Sequence, residues 1–290
     1  MISVEIYRQM AVIAKQNPTL DDQHILNKVI RNMDPPVSYH TLDSTKFLCG
    51  KNYYEEPKRY FADTAKECYG CIVVHNNWII GKAAKVYRQR EMLQWTYDGE
   101  KYYSDPNRKY LWFTNISMPN YNDKQQLEED KYALMSAFAI GEILNRVVII
   151  PRLSCNGMPC PLNSRYNITQ LDLLFRSKYR ESTFLLHPKV PESVKKSVSE
   201  TYGIQSSYSY SNPAKSNVII LTPSDPDAGA TSDEILEWFG ENKESVLKFE
   251  TLHKAFKGFM ENSVQVEFER KVASALKIVT YMQRGLNEKT

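Results

Sequence analysis

The sequence predicts an α/β protein built on a mainly parallel sheet, and three observations carry that expectation. Short, continuous apolar runs stand at 110–113, 147–150 and 217–221, the pattern of strands covered on both faces. Segments with apolar residues at helical spacing alternate with these runs. The 290 residues, 42% of them hydrophobic and 24% charged, supply enough apolar mass for a sizeable core.

In chain order, 3–15 reads as a helix with Ile6, Met10, Ile13 and Ala14 on one face, ended by Asn17-Pro18. Asp21 and Asp22 cap a second helix over 23–33, which Asp34-Pro35-Pro36 stops. A strand-like piece follows at 46–49. Residues 71–74 read as a compact buried strand with His75, Asn76, Asn77 and Trp78 at its exit, and 81–93 as a helix rich in Lys and Arg. Residues 96–109, polar and Tyr-rich, read as a linker. Beyond it come the strand at 110–113 and an amphipathic helix at 127–144, with Tyr132, Met135, Phe138, Ala139 and Ile143 on one face. A buried strand at 147–150, strands at 182–186 and 217–221, and helices at 233–238 and 244–281 complete the reading. This organisation divides the chain into domains at 1–100 and 101–290.

Composition excludes some functions. A net charge of +3, a pI near 8.4 and no basic stripe argue against nucleic acid as a partner. No apolar run approaches the roughly 18 residues that span a bilayer, and the first seventeen residues mix charges into their apolar positions, unlike a secretory signal. Cys68-x-x-Cys71 has no second pair at zinc-finger spacing, so neutral core thiols are expected there. Asn156-Gly157 and Pro159 form a tight turn between Cys155 and Cys160 that suits a local disulfide. The sequons at Asn115 and Asn167 lean toward the secretory pathway. The region 110–290 holds no nucleophile elbow, P-loop or dinucleotide fingerprint.

Three patterns could carry chemistry. Asp21-Asp22-Gln23 puts a carboxylate and an amide at a helix start, where capping alone also explains them. In the second, His75 leaves a strand as a potential divalent-metal ligand, Gly81 permits close backbone approach, and Lys82 and Lys85 can meet a diphosphate. A satisfied strand-end histidine and a solvated basic helix account for the same residues. In the third, Leu144-Asn145-Arg146 runs into Val147-Val148-Ile149-Ile150-Pro151. Asp225-Pro226-Asp227 is an Asp-x-Asp by letter, but its Ser/Pro/Gly-rich surroundings read as a turn.

The order Asp22-Gln23-x-x-Leu26-Asn27, then Val74-His75-Asn76-Asn77-Trp78-x-x-Gly81-Lys82-x-x-Lys85, resembles the nucleotide-diphospho-sugar transferase domain of glycosyltransferase family 77. The match runs from about Ile6 to Trp95, and the third pattern resembles a stretch that follows that domain in some members and in fucosyltransferase-like domains. The resemblance implies the carboxy-terminal part of a GT-A-like domain, followed by a second, Rossmann-like α/β domain with a mainly parallel sheet. It implies a retaining, manganese-dependent transfer from a UDP-sugar to a glycan or glycoprotein, in the Golgi if an upstream anchor exists. Asp22 and Gln23 would face the sugar, and His75 would bind the metal. Gly81, Lys82 and Lys85 would hold the diphosphate; Asn76, Asn77 and Trp78 would shape the acceptor side. The family's Asp-x-Asp stretch has no counterpart upstream, where too few residues precede Asp22 for a βαβ unit of about 30. The expectation is therefore a truncated transferase or, alternatively, a non-catalytic carbohydrate- or protein-binding module derived from one.

Overall fold

A computed structural model describes residues 2–54, 70–114, 123–155, 158–206 and 217–277. Cys68, the sequon at Asn115 and the Asn156-Gly157 turn lie outside these residues. The chain divides into two compact units, Met1–Lys46 and Phe47–Thr290.

The first unit is a pair of helices, α1 (Ile2–Gln16) and α2 (Asp22–Asn32). Asp21 is the N-cap of α2, its Oδ1 accepting the His24 backbone N–H at 2.8 Å while its Oδ2 meets His24 Nδ1 at 2.7 Å. Those bonds, the backbone one foremost, hold the Asp21 carboxyl below its ordinary range. Ile25 and Val29, one turn apart, are the buried residues of α2.

The second unit opens with a small parallel sheet, β1 (Phe47–Cys49) beside β2 (Val73–His75), accompanied by α3 (Gly50–Tyr54) and α4 (Lys82–Glu91). The rest follows as β3 (Tyr110–Phe113), α5 (Asp123–Ile143), β4 (Val147–Ile149), the hairpin β5 (Leu153–Cys155) and β6 (Met158–Cys160), α6 (Ile168–Phe175) and β7 (Tyr179–Arg180). Then come α7 (Glu192–Lys195), β8 (Thr201–Ile204), β9 (Val218–Leu221), β10 (Ala230–Thr231), α8 (Ser232–Phe239), β11 (Val246–Phe249), β12 (Phe256–Gly258) and α9 (Asn262–Ala275). Six of these strands form one all-parallel sheet in the order β7-β4-β3-β11-β8-β9. The expected α/β class with a parallel sheet is thus what the chain adopts, and the sheet is Rossmann-like.

The core follows from the runs at 110–113 and 147–150, whereas the run at 217–221 forms the edge strand β9 and is not covered on both faces, Ile219 being 41% and Ile220 48% exposed. All three residues of β4 are buried, as are Val246, Leu247 and Phe249 of β11, the strand between β3 and β8. Helix α5 is buried without a break over Ser136, Ala137, Phe138, Ala139, Ile140 and Gly141. The one-sided face expected for it gives way to burial all round, because α5 touches β3, β4, β5, α8 and β12 together.

Other expectations are corrected. The run 71–74 is not buried: Ile72 is 66% and Val73 49% exposed, and the strand shifts to Val73–His75. Cys71, partly buried against the cluster of Leu48, Tyr53, Tyr54 and Met92, is disulfide-bonded and not a neutral thiol. Residues 96–109 are not a linker, since Tyr103 is fully buried and stacks on His187, with ring centres 3.7 Å apart. The strand expected at 182–186 is a single 3-10 turn, Phe184–Leu186, because β7 ends one step earlier. The expected helix at 244–281 begins as two strands, since the apolar Val246–Phe249 run fills the centre of the sheet and tertiary burial outweighs helical periodicity. Cys155 and Cys160 form the expected disulfide, Cα atoms 5.6 Å apart across the β5–β6 hairpin. Asp225-Pro226-Asp227 is a turn, closed by Ala228 N–H and Gly229 N–H on the Asp225 carbonyl, both at 3.1 Å.

Candidate functional site

Asp22 and Gln23 are exposed in the first turn of α2. They belong to the first unit; every other candidate lies in the second.

His75 ends β2 and is exposed. Among the described residues no three His, Cys, Asp or Glu side chains gather to hold a metal ion. A single imidazole holds a hydrated divalent ion weakly, so these residues alone do not fit the manganese that the resemblance implies. Asn76 and Asn77 act on the scaffold. Arg88, fully buried on α4, donates from Nε to Asn76 Oδ1 at 2.7 Å and from Nη2 to the Asn77 carbonyl at 2.6 Å. Its guanidinium lies 4.1 Å over the Tyr54 ring. Asn77 Oδ1 accepts the Gly50 backbone N–H at 2.6 Å, and Asn76 Nδ2 donates to the Lys85 carbonyl at 3.2 Å. The two asparagines therefore bolt β2 to α3 and α4 through one buried cation. Trp78 is different: it is 55% exposed, takes a left-handed φ of 59°, and carries Lys51 Nζ 5.4 Å over its ring.

Gly81 has a double reason to be glycine. Its φ is +94°, and a Cβ there would stand 2.6 Å from Thr169 Oγ1. Thr169 lies in the first turn of α6, whose N-cap Asn167 accepts the Gln170 N–H at 3.2 Å. Helix α6 carries the chain from β4 to β7, and such crossover helices start at the carboxyl ends of parallel strands. The amino end of α4, with exposed Lys82 and Lys85, therefore lies at the carboxyl edge of the large sheet. The other end of α4 is anchored by Thr183 Oγ1, which donates to the Glu91 carbonyl at 2.9 Å. Beside it, Arg90 and Arg180 lie 3.6 and 3.9 Å over the Tyr102 ring, whose Oη donates to buried Glu181 at 2.6 Å. Burial pushes the Glu181 carboxyl up.

That edge holds polar residues the sequence reading missed. The chain turns one way from β3 to β4 and β7, while β11 and β8 lie on the other side, so the sheet reverses order between β3 and β11. Open parallel sheets bind ligands outside such a point, at the carboxyl ends. Here the first turns of α5 present Asp123, bonded bidentately by Arg165 at 2.8 and 2.6 Å, and the buried pair Gln126 and Asp130, bonded at 2.8 Å. Tyr166, fully buried, feels Asp130 and Arg165, and burial first, then Asp130, pushes its hydroxyl far up. Just past β11, His253 Nε2 meets Glu129 Oε2. The signal was present: Gln126 and Asp130 stand four apart on a helix otherwise buried by apolar residues, and a His follows an apolar run.

The Leu144-Asn145-Arg146 stretch works at the opposite edge. Arg146 Nη1 donates to the Tyr110 and Glu244 carbonyls at 3.1 and 2.9 Å, and its Nη2 bonds the Asn242 carbonyl and Oδ1 at 3.1 and 3.0 Å, tying together the amino ends of β3 and β11. A hollow of about 540 Å³ beside it is lined by Asp105, Arg108, Lys109 and Lys178. Its cations are engaged: Arg108 with Asp105 at 3.3 Å, Lys109 with the Asn242 carbonyl at 2.8 Å, and Lys178 with Asn145 Oδ1 at 3.1 Å. Its size notwithstanding, this is the edge away from which parallel sheets bind.

No family model, curated protein or solved structure matches the chain. The fold therefore defines the class alone: an α/β protein with a six-stranded parallel sheet and a polar carboxyl edge. Among the described residues no helix is long and apolar enough to cross a membrane.

Proposed function

We propose that the chain is a nucleotide-sugar-dependent glycosyltransferase that holds a UDP-sugar at the carboxyl edge of its large sheet and transfers the sugar to a glycan or glycoprotein. The observation that carries this reading is the contact of Gly81 with the start of α6, which brings Lys82 and Lys85 to the same edge as the polar cluster at the β3–β11 reversal. Two lysines on the first turns of a helix, with its free backbone N–H groups, suit a diphosphate and would stabilise charge growing on the leaving group. Exposed Trp78 offers a face for a sugar ring on the acceptor side. Asp22 and Gln23, the residues that the resemblance assigns to the sugar, are exposed on α2 of the first unit. Manganese is the ion the resemblance implies, with His75 its candidate ligand among the described residues. The Cys155–Cys160 disulfide and the bonded state of Cys71 support an oxidising compartment such as the Golgi lumen. The mild net charge of +3 leaves nucleic acid outside the proposed partners.

A second reading, a carbohydrate- or protein-binding module, is favoured by one observation: Asn76, Asn77 and Gly81 have scaffold roles that account for them without a nucleotide. Calorimetric titration of the full chain with UDP, with and without manganese, separates the two. The transferase reading expects UDP binding, weakened about tenfold, or about 1.4 kcal/mol, by Lys82→Ala with Lys85→Ala. Binding of immobilised glycans with no uptake of UDP at millimolar concentration would favour the module.

A further inference from the structure

One contact at the carboxyl edge pairs a carboxylate with an imidazole. Glu129, in the second turn of α5, and His253, in the turn after β11, meet through Oε2 and Nε2. Their side chains retain 25% and 14% exposure, so the couple is sheltered yet reaches solvent. Tyr132 sets its ring edge-on to the imidazole, with centres 5.9 Å apart, and Lys254 Nζ stands 5.0 Å over that same ring. The turn is fixed from two sides. His253 N–H donates to Thr251 Oγ1 at 3.3 Å, and Ala230 N–H donates to the Ala255 carbonyl at 2.9 Å. Lys254 itself holds a left-handed φ of 47°, a strained conformation of the sort that persists where surrounding structure imposes it. Burial raises the Glu129 carboxyl, with Lys254 opposing and Glu128 reinforcing the shift. Glu128, Tyr132 and Lys254 stand among the titratable neighbours of the couple.

We propose that Glu129 and His253 act together as the base that takes the proton from the acceptor hydroxyl, a role that rests on the glycosyl transfer proposed above. As the hydroxyl oxygen bonds to the anomeric carbon, its proton passes to the couple. The bond from that carbon to the diphosphate oxygen breaks, and its electron pair leaves with UDP. Solvent then takes the proton from the couple.

The test uses the full chain with UDP-galactose, UDP-xylose and UDP-arabinose, water as the acceptor, and UDP release as the readout. Glu129→Gln and His253→Gln are expected to keep the UDP dissociation constant within about threefold and to lose about 10²- to 10⁴-fold in kcat. The acid limb of the kcat/KM profile should disappear with them. Wild-type turnover in both variants overturns the couple alone, whereas UDP binding by the wild type without turnover overturns the transfer and the couple together. A wild type that binds no UDP overturns the transferase reading and the couple with it. The wild-type pH profile needs no variant to fold: without an acid limb, the couple is not the base.

Discussion

The runs Ile72-Val73-Val74 and Val147-Val148-Ile149 are almost the same in chemistry, yet the first lies on an exposed two-stranded sheet and the second in the buried body of a six-stranded one. Val73 is 49% exposed, and Val148 is 1%. An apolar β-branched run fixes extended backbone in both places, but the number of neighbouring strands and covering helices decides burial. The polar residues differ in the same way. Around β2 they bond the scaffold through Arg88, whereas at the carboxyl edge of β3 and β11 they gather about a reversal of strand order.

The comparison is broken or sharpened by stability measurements on the full chain. The largest effect is expected in the central strand: Leu247→Ala should cost about 3–4 kcal/mol, against under about 0.5 kcal/mol for Val73→Ala, in chemical denaturation. Equal losses would mean that the small sheet is as well covered as the large one. Arg88→Met comes next, at about 2–3 kcal/mol, because it leaves the Asn77 carbonyl and the Asn76 amide oxygen without their charged donor. Gly81→Ala should cost about 1–2 kcal/mol through its positive φ and the approach to Thr169. Adding Thr169→Ala should return the steric part and leave the backbone part; no recovery would put the whole penalty in φ.

The smallest effect concerns pH. Glu234, the capping-box carboxylate of α8, is held down to about 2 by the backbone N–H groups of Thr231 and Ser224, which outweigh a burial effect in the other direction. Its folded value lies below the ordinary 4.5, so its contribution is full above about pH 4.5 and is lost as pH falls toward 2. Glu234→Gln should flatten that part of the stability–pH curve and leave its shape near neutrality unchanged. An unaltered acid slope would remove Glu234 from the account.

Much of the fold was legible in the sequence. Helix α2 with its Asp21 cap, the strands at 110–113 and 147–149, and the disulfide-bearing hairpin follow from local chemistry. Strand β11 was not legible, because Val246-Leu247-Lys248-Phe249 fits a helix as well as a strand until β3 and β8 flank it. Of the candidate site, the sequence gives residue types and spacing, and the structure adds their exposure and partners. His75, Lys82 and Lys85 stand exposed as a ligand would require. The partners of Asn76 and Asn77 could not be read, since Arg88 reaches them only once α4 folds back beside β2. Glu129 and His253 lie far apart in sequence, and only the parallel sheet brings them together.

Hydrogen exchange on the full chain, with and without saturating UDP, tests the central claim most directly. The account predicts new protection in the first turns of α5, in residues 250–254 and in the first turn of α4. Protection confined to the amino edge, around residues 105–109 and 145, or no protection anywhere, would contradict it.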